Sequence, residues 1–226
     1  MAKGVFYSVG VGPGDPKLMT FKAAEVIASC GVIAVPDSGA GESLALKIAG
    51  EYVRGKAIIY CGAPMTRDAQ MLARHWDANA RALAARLENG GNAAFLTLGD
   101  PSVYSTSIYL HERLTKMGYE TVMIPGVPSF CAAAACLNAG LCVGGEPLFV
   151  LPAQAENLAE MLDIPGRKVI MKPGRGLRRI KDLLAEKGLN AAAVERASMP
   201  DQAVYNNIED IGDGAGYFTL LVVRGP

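Results

Sequence analysis

The sequence predicts an α/β protein of two domains, and three observations carry that prediction. Short, continuously apolar segments alternate with helical ones, the pattern of a largely parallel sheet covered on both faces. At Pro125-Gly126-Val127-Pro128, two prolines and a glycine within four residues break this texture and divide the chain into residues 1–126 and 127–226. The last apolar run, YFTLLVV, reads as antiparallel-sheet material, so the second domain is expected to carry a mixed sheet.

Each element has its own signal. GVFYSVGVG is a β-rich run ended by glycines, and TFKAAEVIASCG is helical, with Thr20 as N-cap and Gly31 past its end. VIAVP is a second strand, SLALKIAGEY a short helix and AIIYC a third strand. From Asp68 to Glu88, Leu72, Trp76, Leu83 and Leu87 recur at helical spacing, and Asn89-Gly90-Gly91 ends the helix. AAFLTLG is a fourth strand, Ser102 to Met117 a helix closed by Gly118, and TVMIP a fifth strand. In the second half FCAAAACLNAG, NLAEMLD and LRRIKDLLAEKG are helical, while PLFVLP, KVIMKP, AAAVERAS and YFTLLVV are strands.

The 226 residues, half of them apolar and 19% charged, suffice for a sizeable core in an ordinary folded protein. A formal net charge of zero supplies no global field toward nucleic acid or an anionic membrane. No apolar run approaches the roughly 20 residues of a membrane span, and MAKGVFYSVG moves straight into a strand pattern; the expected compartment is the cytoplasm. None of the five cysteines forms a Cys-x-x-Cys pair. Cys131, Cys136 and Cys142 lie in the alanine-rich CAAAACLNAGLC and are read as small buried apolar residues, so no metal site is expected.

Three glycine-rich turns are candidates for ligand binding. The first, Gly10-Val11-Gly12-Pro13-Gly14-Asp15-Pro16, departs from the dinucleotide fingerprint. Asp15 occupies the third glycine position, where its carboxylate would repel phosphate, and Pro13 and Pro16 remove amide donors. The second, Gly99-Asp100-Pro101, ends a strand where open α/β sheets bind ligands; glycine permits close approach and aspartate accepts hydrogen bonds or balances a cation. A plain capped strand-to-helix turn is the alternative. The third, Pro125-Gly126-Val127-Pro128-Ser129, leads into an alanine-rich helix with Ser129 as a natural N-cap. Together they suggest a ligand without phosphates, held partly by backbone groups in a cleft between the domains.

GVGPGDPKLMT, FLTLGDPSVYSTSIYL, IPGVPSFCAAAA and VERASMPDQ, in this order, make the chain resemble the tetrapyrrole (corrin and porphyrin) methylases over nearly its whole length. The Tyr-Ser-Thr segment after Gly-Asp-Pro, with APMTRD and the helix containing His75-Trp76-Asp77, resembles the branch that methylates carbon 20 of precorrin-2 or cobalt-factor II. The resemblance implies the tetrapyrrole methylase fold, S-adenosylmethionine as methyl donor, a tetrapyrrole acceptor and a homodimer. The donor site it implies draws on Pro13, Gly99, Asp100, Val103, Ser129 and Ala197, with Met171 or Lys172 at one further contact.

Transfer from a sulfonium needs no enzyme nucleophile, so neither a Ser-His-Asp nor a Cys-His set has to exist, and His75 and His111 are read as packing or surface residues. No catalytic residue is assigned; Asp15 or Asp100 could assist proton loss. Tyr104, Ser105 and Thr106 are candidate substrate contacts, with Asp15 beside them, or else a polar helix start satisfying its own backbone. Arg167, Lys168, Lys172, Arg175, Arg178, Arg179 and Lys181 occur with no acid between them; Lys172 and Arg175 are the better partners for macrocycle carboxylates. The rival readings are the same fold acting at another ring position or on a ribose of ribosomal RNA, and a nucleotide-binding regulatory module without turnover. Neutral net charge disfavours RNA, and Asp15 disfavours a dehydrogenase.

Overall fold

Apolar strands need cover on both faces, and the chain supplies it with helices cut to length by caps and glycines. The computed structural model describes residues 2–37, 43–62, 66, 68–212, 214 and 216–224. Of the APMTRD segment only Thr66 and Asp68 fall within them. The chain divides into two compact units, Met1–Pro128 and Ser129–Pro226.

The first unit runs β1 (Phe6–Gly10), α1 (Phe21–Ser29), β2 (Val32–Asp37), α2 (Leu44–Ala49), β3 (Ala57–Gly62), α3 (Ala69–Leu87), β4 (Ala93–Thr97), α4 (Ser107–Lys116) and β5 (Thr121–Ile124). Its sheet has the order β3-β2-β4-β1-β5, with every pairing parallel. Strand alternation sorts the core. Val9, Ile33, Val35, Ala94 and Leu96 pack with α1 and α2 on one face, while Phe6, Ala34, Ala93 and Phe95 pack with α3 and α4 on the other.

Local chemistry sets the helix ends. The Thr20 hydroxyl accepts from the Ala23 amide at 3.1 Å at the start of α1. The Asp68 carboxylate accepts from the Gln70 and Met71 amides, at 2.9 and 3.1 Å, at the start of α3. Gly118, at φ 82°, follows α4. On α4, His111 places Nδ1 3.2 Å from the buried Ser8 hydroxyl of β1 and packs edge-on against Phe6, which fixes the helix on the sheet.

The second unit runs α5 (Ser129–Cys136), β6 (Leu148–Pro152), α6 (Leu158–Asp163), β7 (Arg167–Met171), α7 (Leu177–Glu186), β8 (Asn190–Glu195), β9 (Ala203–Tyr205) and β10 (Thr219–Arg224). Its sheet is mixed, in the order β6-β7-β10-β8-β9: β6 and β7 are parallel, and β10 is antiparallel to both neighbours. Leu151, Ile170, Ala193, Leu221 and Val223 meet α6 and α7 on one face.

Three readings need correction. α4 begins at Ser107, five residues later than the pattern suggested, because Tyr104 takes a left-handed φ of 47° that no helix accommodates. β9 went unread because AVY is too short to show a period. Cys131 is exposed and Cys136 half-buried, since α5 turns only part of its small-residue surface inward, and Cys142 is exposed six residues beyond the end of that helix. The buried thiols are Cys30 and Cys61, which burial pushes up to about 11 and about 12, so both stay protonated. Among the described residues no helix is long and apolar enough to cross a membrane.

Candidate functional site

In the first unit the site follows from strand order. After β1 the chain crosses to β2 on one side; after β4 it crosses to β5 on the other. β1 and β4 are neighbours whose connections leave in opposite directions, which makes their carboxyl ends the switch point where open α/β sheets take ligands. All three glycine-rich turns end there, on β1, β4 and β5.

Those turns interlock. Gly12 and Gly99 exchange both backbone hydrogen bonds, at 3.3 and 2.8 Å. A Cβ on Gly10 would lie 2.5 Å from the Gly99 oxygen, and one on Gly126 2.2 Å from the same atom. Only backbone without side chains lets the three strand ends meet this closely. Asp100 secures the arrangement: Oδ1 accepts from the Ser102 amide at 2.8 Å and from the Ser102 hydroxyl, and Oδ2 from the Gly126 amide at 3.0 Å. Burial alone would raise its pKa, but the donors from Ser102 and Gly126 outweigh burial and hold the carboxyl below its ordinary value. A fixed negative charge therefore stands at the switch point.

The other predicted residues of this unit gather around the same turns. Pro13 is buried. Asp15 caps the short 3-10 turn Pro16–Leu18, its Oδ1 accepting from the Lys17 amide at 2.9 Å. Val103 donates its amide to the Asp100 carbonyl at 3.3 Å.

Tyr104, Ser105 and Thr106 form the loop before α4, where a concavity of about 320 Å³ is lined by Pro101, Tyr104, Ser105, Thr106 and Tyr109 among others. The Ser105 hydroxyl is engaged internally, donating to Thr97 Oγ1 at 2.9 Å and lying 2.9 Å from Ser107 Oγ. Tyr104 and Thr106 are exposed. Tyr109 is also exposed and lies against Trp76, ring centroids 5.3 Å apart. The sequence reading missed Tyr109 and Thr97; the Tyr-Leu pair after the hydroxyl run was the available signal for Tyr109.

In the second unit β6, β7 and β8 run in one direction, so their carboxyl ends share one sheet edge. Met171 closes β7, its carbonyl accepting from the Ala153 amide at 2.8 Å. Lys172 follows at φ 58°, with Nζ 5.7 Å from the centroid of the exposed Tyr217 ring. Arg175 lies beyond it in the exposed 3-10 turn Gly174–Gly176. Ala197 is buried between Arg196 and Ser198, at φ 48° and 64°. The Ser198 amide donates to Gln202 Oε1 at 2.7 Å. Ser129 is the first residue of α5.

Five described non-glycine residues have left-handed φ, and four of them, Tyr104, Lys172, Arg196 and Ser198, lie on loops that leave the carboxyl ends of β4, β7 and β8. Such strain persists only where surrounding structure enforces it and clusters at functional sites. Two further residues of the basic run have structural partners. Arg178 pairs with Asp182 one turn on, and Lys181 donates to the Ile211 carbonyl at 2.6 Å. No group of three or more His, Cys, Asp or Glu among the described residues is placed to hold a metal ion.

A two-unit α/β fold with its ligand turns at a switch point defines a class, and comparison with known proteins narrows it. The chain belongs to the tetrapyrrole (corrin/porphyrin) methylase family, whose description matches residues 5–212. It is similar to CobIJ, a cobalamin biosynthesis protein of Mycobacterium bovis, at 35% identity over 238 residues; the match takes in 99% of this chain and 46% of CobIJ, so the chain spans about half the length of that relative. It is 32% identical over 229 residues to the cobalt-precorrin-2 C(20)-methyltransferase of Salmonella typhimurium, covering 98% of this chain and 96% of that one. The cobalt-precorrin-4 C(11)-methyltransferase of Methanocaldococcus jannaschii is 34% identical over 133 residues, 59% of this chain and 46% of that one.

Among solved structures, the cobalt precorrin-4 methyltransferase CbiF superposes with a TM-score of 0.79 at 18% identity, covering 97% of this chain and 94% of its own. The uroporphyrin-III C-methyltransferase of Thermus thermophilus, complexed with S-adenosyl homocysteine, gives 0.69 at 22% identity, with 97% and 96% covered. At these identities the likeness is one of fold.

Proposed function

We propose that the protein transfers a methyl group from S-adenosylmethionine to carbon 20 of precorrin-2 or of its cobalt-containing counterpart, in cobalamin biosynthesis. The observation that carries the reading is the interlocked glycine turn at the switch point. The amides of Gly12, Gly99 and Gly126 are all spent on backbone or on Asp100. These three amides are not available to a phosphate, while the Asp100 carboxylate supplies a negative charge that can balance a cation. That combination fits a sulfonium donor without phosphates. Similarity to a C(20)-methyltransferase over nearly the full length of both chains supports the ring position.

In this reading Pro13, Gly99, Asp100, Val103, Ser129, Met171 and Ala197 hold the donor. Asp15, Tyr104, Thr106, Lys172 and Arg175 meet the tetrapyrrole, and Ser105 fixes the loop that presents Tyr104. The donor supplies a methyl already activated by positive sulfur. The residues need only align acceptor carbon and methyl and keep water out, effects that reach about 7–11 kcal/mol in favourable cases. A homodimer is part of the proposal, checked by sedimentation equilibrium.

Purified protein titrated with S-adenosylmethionine tests the donor site. Saturable binding that weakens roughly tenfold or more in Asp100→Asn supports it; unchanged affinity in that variant removes Asp100 from the site. The second reading, methylation at carbon 11, is favoured by the C(11) relative, though that match covers only 59% of this chain. Incubation with the corresponding precorrin-4 substrate separates the two.

A further inference from the structure

Taking the tetrapyrrole acceptor of the proposed function as given, we infer that Tyr109 is a further acceptor-binding residue, its ring, backed by Trp76, forming a fixed wall against which the flat macrocycle lies. Tyr104 and Tyr109 both line the concavity of about 320 Å³ at the start of α4, and they are 47% and 46% exposed. Apolar ring surface left open to water in a cavity wall is surface that a ligand can bury. Tyr109 is also held in place. Its ring lies 5.3 Å from that of Trp76, centroid to centroid, and is tilted by 31°, so one side of it rests on a side chain that is itself only 6% exposed.

The backbone of Tyr109 is fixed as well. Its amide donates to the Thr106 carbonyl at 3.2 Å, and its carbonyl accepts from Arg113 Nη1 at 3.0 Å. Arg113 Nε donates in turn to Asp77 Oδ1 at 2.7 Å, which ties α4 to α3 within one turn of the ring pair. A ring set before the ligand arrives loses little freedom on binding, and its stacking on a conjugated system adds to the area buried. In the same lining Tyr104 is set by its left-handed backbone, and the bond from Ser105 to Thr97 anchors the loop. Among the described residues the lining contains no charged side chain. It therefore suits the uncharged body of a macrocycle better than the sulfonium, ammonium and carboxylate of the donor. Its volume, at the lower end for small-molecule sites, takes one edge of a tetrapyrrole.

The test is fluorescence titration of the whole protein with metal-free precorrin-2 and, separately, with cobalt-factor II, reading Trp76, the single tryptophan of the chain. Wild type is expected to bind at least one of them saturably, Tyr109→Ala to bind it roughly tenfold or more weakly, and Tyr109→Phe, which keeps the ring, to recover most of that loss. Affinity for S-adenosylmethionine, read by calorimetry, should be the same in all three. Undiminished acceptor affinity in Tyr109→Ala, a Tyr109→Phe variant as weak as Tyr109→Ala, or an equal loss of donor affinity overturns the inference and leaves the proposed activity standing. Wild type that binds neither tetrapyrrole sinks the proposed acceptor, and the inference with it. Should Tyr109→Ala fail to fold, the Tyr109 ring signals in isotopically labelled wild type must move in NMR spectra when the bound tetrapyrrole is added; unmoved signals overturn the inference equally.

Discussion

Asp100 has one structural task and one that belongs to the proposal. Its carboxylate ties the β4 turn to the β5 turn through Ser102 and Gly126, and in the proposed reading it balances a cationic donor. Asp100→Ala strands the Gly126 amide and removes the Asx turn. It is expected to cost about 1–3 kcal/mol of folding stability as well as donor affinity, and chemical denaturation reads the first. Because the native pKa is depressed, this contribution is complete above the unfolded carboxyl value of about 4 and disappears as pH falls through the lower native value.

His111 titrates in a different window. Burial lowers its pKa, against an opposing pull from Glu112. The native state then binds fewer protons than the unfolded state just below pH 6.5, so stability is full above that value and declines as pH falls toward the native pKa. Denaturation midpoints between pH 7 and 5 should show this slope in wild type and a shallower one in His111→Gln; identical slopes would remove His111 as its source.

At the scale of elements, the glycine turns make the sharpest demand. Gly10→Ala and Gly126→Ala each drive a methyl group onto the Gly99 carbonyl, at 2.5 and 2.2 Å. Each is expected to lower stability by about 1–3 kcal/mol or more, whereas Gly31→Ala, with nothing within 4 Å of its added Cβ, should change little. Melting temperatures of the three variants give the comparison.

Most elements were legible because period and caps coincide, as where Thr20 and Asp68 precede apolar stripes. The start of α4 was not, because Tyr104 adopts a conformation that residue type does not announce. Nor was the exposure of Cys131, since an alanine-rich helix has no polar face to mark its outside. The candidate site was legible as three separate turns. Their meeting at one strand-end cluster depends on the order β4-β1-β5, a long-range fact absent from local pattern.

At the scale of the whole molecule, zero net charge leaves recognition to local groups. The glycine turns, Asp100 and the strained loops all lie at carboxyl ends of strands. The chain belongs to the tetrapyrrole methylase family, and the proposed ring position is the central claim. It is tested most directly by incubating the protein with methyl-13C-labelled S-adenosylmethionine and either metal-free precorrin-2 or cobalt-factor II, then locating the label by NMR. The account predicts one labelled methyl at carbon 20; a label at another ring carbon, or none with either substrate, would contradict it.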